Sequence, residues 1–359
     1  MKIITIIGAR PQFIKAAIVS HALQQEKDIE ERILHTGQHF DNNMSDIFFK
    51  ELGIPRPSYN LGIGGNQHGA MTGQQLEKIE AILINEKPDR ILVYGDTNST
   101  LAGALAAAKL HIPVAHVEAG LRSFNKQMPE EINRILVDHI ADILFAPTDT
   151  AINNLKTEGL KNNAFQVGDV MYDATLYYKK LAQKNSTILK EHHLNKYTLV
   201  TIHRAENTDN QQILKNIINA LLVLAEKINL VMPIHPRTVN ALKKLTLFNE
   251  VQDKITLIKP VGYLDMLMLE QKAQLIVTDS GGVQKEAFFH KVPCITLRDQ
   301  TEWTELIALD WNRLVSTNQI KQLPDICIGA IGTQGKAETP YGKGDAANKI
   351  VNILRNYKN

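Results

Sequence analysis

Residues 275–289, LIVTDSGGVQKEAFF, form the stretch best suited to bind a ligand. An apolar run predicts a buried strand, and a helical segment follows it after Ser280, Gly281 and Gly282. Glycines at such a turn let backbone N–H groups approach an anion, and the helix N-terminus adds partial positive charge. Glu286 lies on the same helical face as Gly282, where a carboxylate can accept hydrogen bonds from ribose hydroxyls. The pattern predicts a nucleoside-diphosphate site. The alternative is a tight turn that needs glycine, with Ser280 as its N-cap.

Two cations follow the first apolar strand. Arg10 comes just after the strand and its glycine, and Lys15 lies one turn into the next helix. Cations beside a helix N-terminus suit phosphate oxygens or the negative charge that develops on a leaving group. The alternative is that both side chains are only solvated at the surface.

Two carboxylates end neighbouring apolar strands. Asp96 follows ILVY and Glu118 follows VAHV. If the strands are adjacent, the two groups face one crevice, and like charges raise one pKa into a range useful for acid–base catalysis. The alternative is that Asp96 caps the helix at Ser99 and Glu118 pairs with Arg122.

Three further polar residues are candidates. Glu130 lies in the first turn of a helix, where pairing with Arg134 at i, i+4 is the favoured interpretation from the sequence. His203 and His235 each follow a strand and stand near an arginine, which indicates an anionic or proton-transferring site. His203 is as readily explained as a buried histidine with satisfied hydrogen bonds. The chain contains no HExxH, GxSxG or P-loop motif, and its first turn lacks GxGxxG.

Length and composition set outer bounds. At 359 residues two domains are expected, and a net charge of +2 does not indicate nucleic acid or an anionic membrane as partner. The cysteines, Cys294 and Cys327, form neither a disulfide framework nor a metal-ligand spacing, so no metal is expected. No signal peptide or membrane-spanning stretch is evident, so the default is a cytoplasmic protein.

Short apolar runs alternate with helical patterns along the chain, which predicts parallel, doubly wound sheets in two Rossmann-like domains. In such sheets ligands bind at the carboxyl ends of strands, where the candidate residues fall. Helices are expected over Pro11–Leu23, Asn42–Leu52, Ser99–Leu110 and Glu130–His139, with a polar surface segment over Leu181–Lys196. Strands are expected over Ile3–Ile7, Arg32–His35, Ile91–Tyr94, Val114–Val117, Ile143–Ala146, Thr198–Ile202, Val231–Ile234, Ile255–Ile258, Leu275–Val277 and Cys294–Leu297.

Taken together, the motifs resemble those of the non-hydrolysing UDP-N-acetylglucosamine 2-epimerase family over essentially the whole chain. The motifs are GARPQFIK, TGQH, YGDTNST, HVEAGLRS, MPEEINR, HRAEN, PIHPR, VTDSGGVQKEA, RDQTEW and PYGKGDA. The resemblance implies a GT-B-like fold with a UDP-sugar in a central cleft. It implies a domain over 1–168, a UDP-binding domain over 169–344, and a final helix, Asp345–Asn359, that returns to the first domain.

The resemblance also assigns roles. Asp96, Glu118 and Glu130 match the acid–base carboxylates, which reverses the structural interpretation of Glu130. Arg10, Lys15 and His203 match the catalytic cations around the diphosphate. The UDP-binding set consists of these three with His235, Ser280, Gly281, Gly282, Glu286 and Arg298. No external cofactor is implied, because UDP itself leaves and returns, and relatives are typically homodimers.

Departures from the family pattern indicate a subgroup. Gln12 replaces a usual Glu, Phe40 replaces an Arg that follows Gln38-His39 in the regulatory region of bacterial relatives, and TEWTE replaces TERPE. This combination resembles UDP-2,3-diacetamido-2,3-dideoxy-glucuronate 2-epimerases. Gln12 would repel a substrate carboxylate less than Glu does, and Lys126 is a candidate cation for it. The rival classes are a UDP-N-acetylglucosamine epimerase, a hydrolysing epimerase, a GT-B glycosyltransferase and a non-enzymatic nucleotide-binding module.

Overall fold

The computed structural model describes residues 1–38, 49 and 51–357. The chain divides into two compact units, Met1–Leu176 with Thr339–Asn359, and Tyr177–Glu338. The units meet at 176/177 and 338/339 rather than at 168 and 344, the boundaries expected from the sequence.

Backbone contacts explain the difference. The N–H of Asp169 donates to the carbonyl of Tyr341 at 3.0 Å. One turn later, Asp173 Oδ2 accepts from the N–H of Ala347 at 2.8 Å. These bonds join the segment after 168 to the returning segment around 341. Arg90 of the first unit donates to the carbonyl of Tyr357 at 3.3 Å, which attaches the returning segment to that unit.

The first unit contains a seven-stranded sheet in which every recorded strand pair is parallel. The strand order is β3-β2-β1-β4-β5-β6-β7, so the direction of winding reverses between β1 and β4. Central strands are apolar on both faces because helices cover both, and Ile3, Ile4, Ile6 and Ile7 are fully buried. The strands are β1 Lys2–Ile7, β2 Glu30–His35, β3 Tyr59–Asn60, β4 Arg90–Tyr94, β5 Val114–Val117, β6 Ile143–Ala146 and β7 Ala164–Gln166.

The second unit repeats the plan with six parallel strands. Its order is β10-β9-β8-β11-β12-β13, and its winding reverses between β8 and β11. The register pairs Thr201 with Thr278 at the carboxyl ends of these two strands, where their hydroxyl oxygens lie 2.6 Å apart. The strands are β8 Thr198–Thr201, β9 Leu230–Pro233, β10 Thr256–Ile258, β11 Leu275–Thr278, β12 Cys294–Thr296 and β13 Asn312–Leu314.

Helices connect the strands of both sheets. In the first unit they are α1 Arg10–Leu23, α2 His68–Glu86, α3 Asn98–Lys109, α4 Pro129–Ile140, α5 Asp149–Thr157 and the final α16 Ala346–Asn356. Helix α6, Val170–Asn185, crosses the unit boundary. The second unit contains α7 Ile188–Glu191, α8 Ala205–Thr208, α9 Gln211–Ala225, α10 Pro236–Lys244, α11 Phe248–Lys254, α12 Tyr263–Lys272, α13 Gly281–His290, α14 Thr304–Ala308 and α15 Leu323–Ala330, with a 3₁₀ helix at Thr317–Gln322.

The predicted doubly wound sheets are confirmed, and the predicted strands agree with the observed ones to within two residues. Three short strands, β3, β7 and β13, were not predicted. The predicted helix Asn42–Leu52 falls largely outside the described residues, as does Phe40. The polar segment Leu181–Lys196 contains the end of α6 and the short helix α7. No helix in the described part of the chain has the length and apolar character needed to cross a membrane.

Candidate active site

Each sheet has one position where the direction of winding reverses, and ligands of such folds bind outside the strand ends at this switch point. In the first unit the switch point lies between β1, which leads into Gly8, and β4, which leads into Gly95. A Cβ at Gly8 would lie 2.1 Å from Thr36 Oγ1 and 2.2 Å from Ser99 Oγ, so only glycine fits this turn.

Lys15 and Glu118 form a buried ion pair at this switch point. Lys15 Nζ donates to Glu118 Oε2, and both residues are 8% exposed. Gly95 lies beside the pair, because a Cβ there would come 3.2 Å from Glu118 Oε2 and 3.5 Å from Lys15 Nζ. This ion pair is therefore the point at which the ends of β4 and β5 meet the first turns of α1. The alternative pairing of Glu118 with Arg122 was wrong.

Asp96, directly after Gly95, pairs with Arg134 of helix α4. Asn133 of the same helix donates to the carbonyl of Asp96 at 2.9 Å. The predicted i, i+4 pairing of Arg134 with Glu130 was therefore wrong, since Arg134 contacts Asp96 and also Glu131, at 3.3 Å.

The helix after Asp96 is capped by Thr97, whose hydroxyl accepts from the N–H of Thr100 at 3.2 Å. Asp96 is therefore not the cap that the alternative interpretation required. Asp96 and Glu118 are each paired with a cation, Arg134 and Lys15, so their negative charges are not left to repel each other in the way the sequence pattern predicted.

Glu130 and Arg10 lie at helix N-termini of the first unit. Glu130 is in the first turn of α4, half-buried, and has no hydrogen-bond or ion-pair partner among the described residues. Its carboxylate is thus available to a ligand. Arg10 is the first residue of α1 and is also half-buried. The partial positive charge at a helix N-terminus favours the Glu130 carboxylate, and at α1 it adds to the charge of Arg10 in attracting an anion.

Gln12 has a structural role that the sequence did not reveal. It is 1% exposed. Its Oε1 accepts from the N–H groups of Gly8 and Ala9 at 2.8 and 3.0 Å. Its Nε2 donates to the carbonyl of Tyr94 at 2.8 Å and to Thr100 Oγ1 at 2.9 Å. The amide joins the turn after β1 to the end of β4, and it does not present a polar group to a ligand.

In the second unit the switch point is organised by Asp279, which sequence reasoning did not single out. Asp279 is fully buried. It accepts from the N–H groups of His203 and Arg204 at 3.1 and 3.0 Å and from Asn207 Nδ2 at 3.1 Å. Burial alone would raise the pKa of Asp279, but His203, Asn207 and the Arg204 N–H hold it below its usual value. Asp279 therefore fixes the HRAEN turn to the end of β11.

His203 lies at the surface of this arrangement. Its side chain is 53% exposed, and its Nδ1 lies 3.1 Å from Asp279 Oδ1. The carboxylate favours a hydrogen on Nδ1, and Nε2 is not the nitrogen that contacts Asp279. The interpretation of His203 as a buried histidine was wrong.

The turn after β11 leads into the N-terminus of helix α13. Ser280 is the N-cap of α13, and its hydroxyl accepts from the N–H of Val283 at 3.5 Å. A Cβ at Gly281 would lie 2.7 Å from Glu302 Oε1, so a larger residue there would displace the Glu302 carboxylate. Glu286 is 6% exposed, and its Oε2 lies 4.0 Å from the Cβ position of Gly282. The N-cap role and the ligand-binding role of this turn are thus compatible.

Two further residues predicted to bind UDP have local partners. His235 is the exposed N-cap of α10, and its Nδ1 accepts from the N–H of Arg237 at 3.2 Å. Arg298 is 7% exposed and pairs with Glu302 at 3.1 Å. Glu302 therefore connects Arg298 to the Gly281 turn.

Behind this turn lies a buried support that the sequence did not indicate. Gln284 Oε1 accepts from Thr301 Oγ1 and from Asn312 Nδ2, both at 2.9 Å. Lys285 is 1% exposed, and its Nζ lies 4.0 Å from the centre of the Trp303 ring. Thr301 and Trp303 thus pack behind the turn. Contacts between segments this far apart in the chain could not be predicted from the sequence pattern.

Two doubly wound units, each with charged or anion-binding residues at its switch point, are the features of a nucleotide-sugar enzyme of the GT-B-like class. A sequence profile of UDP-N-acetylglucosamine 2-epimerase matches residues 21–355. The chain belongs to the UDP-N-acetylglucosamine 2-epimerase family, and it is an epimerase. The predicted family and GT-B-like fold class are confirmed.

Relatives match over almost the full length. The chain is 55% identical to a UDP-N-acetylglucosamine 2-epimerase homolog of Methanococcus maripaludis, covering 99% of this chain and 100% of the relative. It is 52% identical to UDP-2,3-diacetamido-2,3-dideoxy-D-glucuronate 2-epimerase of Pseudomonas aeruginosa, covering 99% of both. The crystal structure of Methanocaldococcus jannaschii UDP-GlcNAc 2-epimerase in complex with UDP-GlcNAc and UDP is similar with a TM-score of 0.93, at 48% identity and 99% coverage of both chains.

Proposed function

We propose that this epimerase inverts carbon 2 of a UDP-2-acetamido sugar by anti elimination of UDP and re-addition. The observation that carries the proposal is the clustering of Lys15, Gly95, Asp96 and Glu118 at the first switch point. There two carboxylates are held beside two cations at adjacent strand ends. The UDP-bound relative supports a UDP-sugar as the ligand.

The chemistry explains why carboxylates and cations are both needed. The hydrogen on carbon 2 is not acidic, because no carbonyl is attached to that carbon. The bond from carbon 1 to the diphosphate oxygen must weaken first, and UDP departs with the bonding electrons. A base then removes the proton from carbon 2, which gives a 2-acetamidoglucal. Return of a proton to the opposite face and re-addition of UDP at carbon 1 complete the inversion without any other reactant.

Asp96, Glu118 and Glu130 supply the negative charge in this scheme. They stabilise positive character at carbon 1 and transfer the carbon 2 proton. Glu130 is the most available, since it has no partner among the described residues, whereas Asp96 and Glu118 are oriented by Arg134 and Lys15. Lys15, Arg10 and His203 stabilise the charge that develops on departing UDP.

The second unit retains UDP between the two half-reactions. The N-terminus of α13 at Ser280, Gly281 and Gly282 binds the diphosphate through backbone N–H groups. Glu286, one turn into that helix, accepts from the ribose hydroxyls. The remaining contacts to UDP are assigned to His235 and Arg298.

The favoured substrate is UDP-2,3-diacetamido-2,3-dideoxy-glucuronate, with UDP-N-acetylglucosamine as the alternative. The 52% identical relative supports the first, and the 48% identical M. jannaschii enzyme supports the second. Gln12 is buried and hydrogen-bonded within the protein, so it affects substrate preference only by lacking the negative charge of the usual Glu. Lys126 is exposed four residues before Glu130 and is the candidate partner of the uronate carboxylate.

The substrate test compares both UDP-sugars with the purified enzyme. We expect a higher kcat/KM for the uronate, and we expect Lys126→Met to lower that value without affecting UDP-N-acetylglucosamine. The second substrate thereby serves as the control for the variant. Faster turnover of UDP-N-acetylglucosamine by the unmodified enzyme would overturn the uronate assignment.

The catalytic test uses Asp96→Asn, Glu118→Gln and Glu130→Gln. Loss of an acid or base should lower turnover by roughly 10²-fold or more while UDP binding is retained. Near-normal rates in all three variants would remove the mechanism. We further propose that the enzyme is a homodimer and that its product supplies O-antigen or capsule synthesis. Light scattering of the purified protein tests the first point, and surface-polysaccharide analysis of a deletion strain tests the second.

A further inference from the structure

A fully buried histidine lies beneath the carboxylates of the first unit. His116 is in β5 and is 0% exposed. Its Nε2 lies 2.7 Å from the carbonyl oxygen of Gly95, and its Nδ1 lies 2.7 Å from Asp138 Oδ1. A carbonyl oxygen can only accept a hydrogen bond, and an ionised carboxylate likewise only accepts. Both ring nitrogens must therefore carry hydrogens, so the side chain is an imidazolium.

Asp138 connects this imidazolium to a second turn. It is in α4 and 0% exposed. Its Oδ2 accepts from the N–H of Gly120 at 3.0 Å and from Arg122 at 2.7 Å. Burial alone would raise the pKa of Asp138, but His116 and Arg122 hold it below its usual value, which keeps the carboxylate ionised.

The charges in this group are balanced. Arg122 donates to both carboxylate oxygens of Glu158 at 2.7 Å. The two cations, His116 and Arg122, thus face the two anions, Asp138 and Glu158. Paired charges of this kind tolerate burial because each is hydrogen-bonded to its counterpart.

The backbone groups held by the histidine and aspartate flank the proposed catalytic carboxylates. The carbonyl of Gly95 immediately precedes Asp96, and the N–H of Gly120 lies two residues after Glu118. Gly95, Glu118 and Gly120 have φ angles of 61°, 72° and 82°. A glutamate in this left-handed region persists only where its surroundings over-determine the conformation. The contacts of His116 and Asp138 provide that constraint on both sides.

We propose that His116 and Asp138 are positioning residues, a buried imidazolium–carboxylate pair that holds Asp96 and Glu118 in their catalytic geometry without contacting substrate. The inference rests on the proposed function, because it concerns the placement of the groups that carry out that reaction. A role in stability alone is the competing explanation.

Steady-state kinetics separate the two explanations. His116→Gln can satisfy only one of the two acceptors, and Asp138→Asn removes the charge while keeping the shape. Both should lower kcat by about 10²-fold, the scale of a displacement near 1 Å, with little change in KM or UDP affinity. The matched control is Asp149→Asn, which makes the same chemical change as Asp138→Asn at an exposed carboxylate in the first turn of α5. Its kcat should equal that of the unmodified enzyme.

Nitrogen NMR of ¹⁵N-histidine-labelled, unmodified enzyme provides a readout that does not depend on activity. Both ring nitrogens of His116 should carry hydrogens in this spectrum, because each faces a hydrogen-bond acceptor. A neutral ring would overturn the inference, as would unchanged kcat in both variants. If His116→Gln fails to fold, Asp138→Asn and the spectrum decide. Absence of carbon 2 proton exchange in the unmodified enzyme would instead refute the proposed function, whatever the spectrum shows.

Discussion

Replacing Asp279 by asparagine tests the organisation of the second unit. The carboxylate is fully buried and accepts hydrogen bonds from two backbone N–H groups, from Asn207 and from the His203 ring. Asparagine has only one acceptor oxygen, so its NH₂ group must face donors on one side. We expect the NH₂ group to take the place of Oδ1, which faces the His203 ring. That ring is half-exposed, so it can turn towards water and bond there instead.

The expected cost follows from the bonds that are lost. A hydrogen bond to a buried charged group contributes about 1.5–3 kcal/mol, and an unpaired buried donor adds its own desolvation cost. The His203 ring and, at 3.2 Å, the His203 N–H both face Oδ1. With these two donors affected and the ring able to reach water, we expect a loss of about 3 kcal/mol. That is a substantial part of a typical stability of about 5–15 kcal/mol.

The assay uses the location of the tryptophans. Both of the chain's tryptophans, Trp303 and Trp311, lie in the second unit. Their fluorescence therefore reports the urea unfolding of that unit alone. The expected loss corresponds to a midpoint lower by roughly 1–2 M urea. The matched control is Asp209→Asn, since Asp209 is 58% exposed and pairs with Arg237 at the surface, where a pair contributes under about 1 kcal/mol.

The pH dependence has a defined sign. The pKa of Asp279 is depressed in the folded state. Its stabilisation is therefore present above the unfolded pKa of about 3.9 and is lost as pH falls through the folded value. The difference between the two proteins should be constant from about pH 5 to 8 and should shrink below about pH 4. A difference under about 1 kcal/mol at pH 7, or one that persists unchanged at pH 3, would refute the reasoning.

Three other predictions concern buried groups. Lys15→Met removes the Lys15 cation from the buried pair with Glu118 and should cost the first unit about 3–5 kcal/mol, seen as a lower calorimetric transition. An unchanged transition would contradict the buried pair. Burial raises the pKa of Cys294 and Cys327 to about 12, so neither thiol should react with Ellman's reagent at pH 8 until urea exposes both; rapid labelling of the native protein would disprove this. Burial lowers the pKa of His290 to about 4, so the second unit should lose roughly 2 kcal/mol between pH 6.5 and 5, because the unfolded histidine binds a proton that the folded one does not. His290→Gln should remove that slope, and an equal slope in the variant would exclude His290 as its source.

The central strands of both sheets were predictable because their burial on two faces leaves continuous apolar runs. The ends of these runs showed which candidate residues follow a strand. Because the strands are parallel, those residues lie at the same edge of the sheet. The short strands β3, β7 and β13 have only two or three residues each, and they pair at or near the sheet edges. Their sequences, YN, AFQ and NRL, lie in no longer apolar run, unlike the equally short β10 and β12, so the apolar signal did not identify them.

The pairings of charged residues were not predictable, because local rules competed with distant partners. Lys15 and Glu118 are separated by 103 residues, and Asp96 and Arg134 by 38. The i, i+4 rule suggested Glu130 for Arg134, yet pairing with Asp96 at the strand end prevails in the folded unit. Asp279 was visible in the sequence as an acid between a buried strand and a glycine turn. Its role arises because the HRAEN turn follows β8, the strand next to β11, and only the order of strands in the sheet shows this.

The most direct test of the proposed epimerase mechanism is exchange of the carbon 2 hydrogen of the UDP-sugar in heavy water. The enzyme should introduce one deuterium at carbon 2 of both epimers, without accumulation of free UDP. Glu118→Gln should slow this incorporation together with turnover. Epimerisation without deuterium at carbon 2 would contradict elimination and re-addition. Stoichiometric release of UDP would show a hydrolysing enzyme, and the absence of both exchange and turnover would leave a protein that only binds the nucleotide.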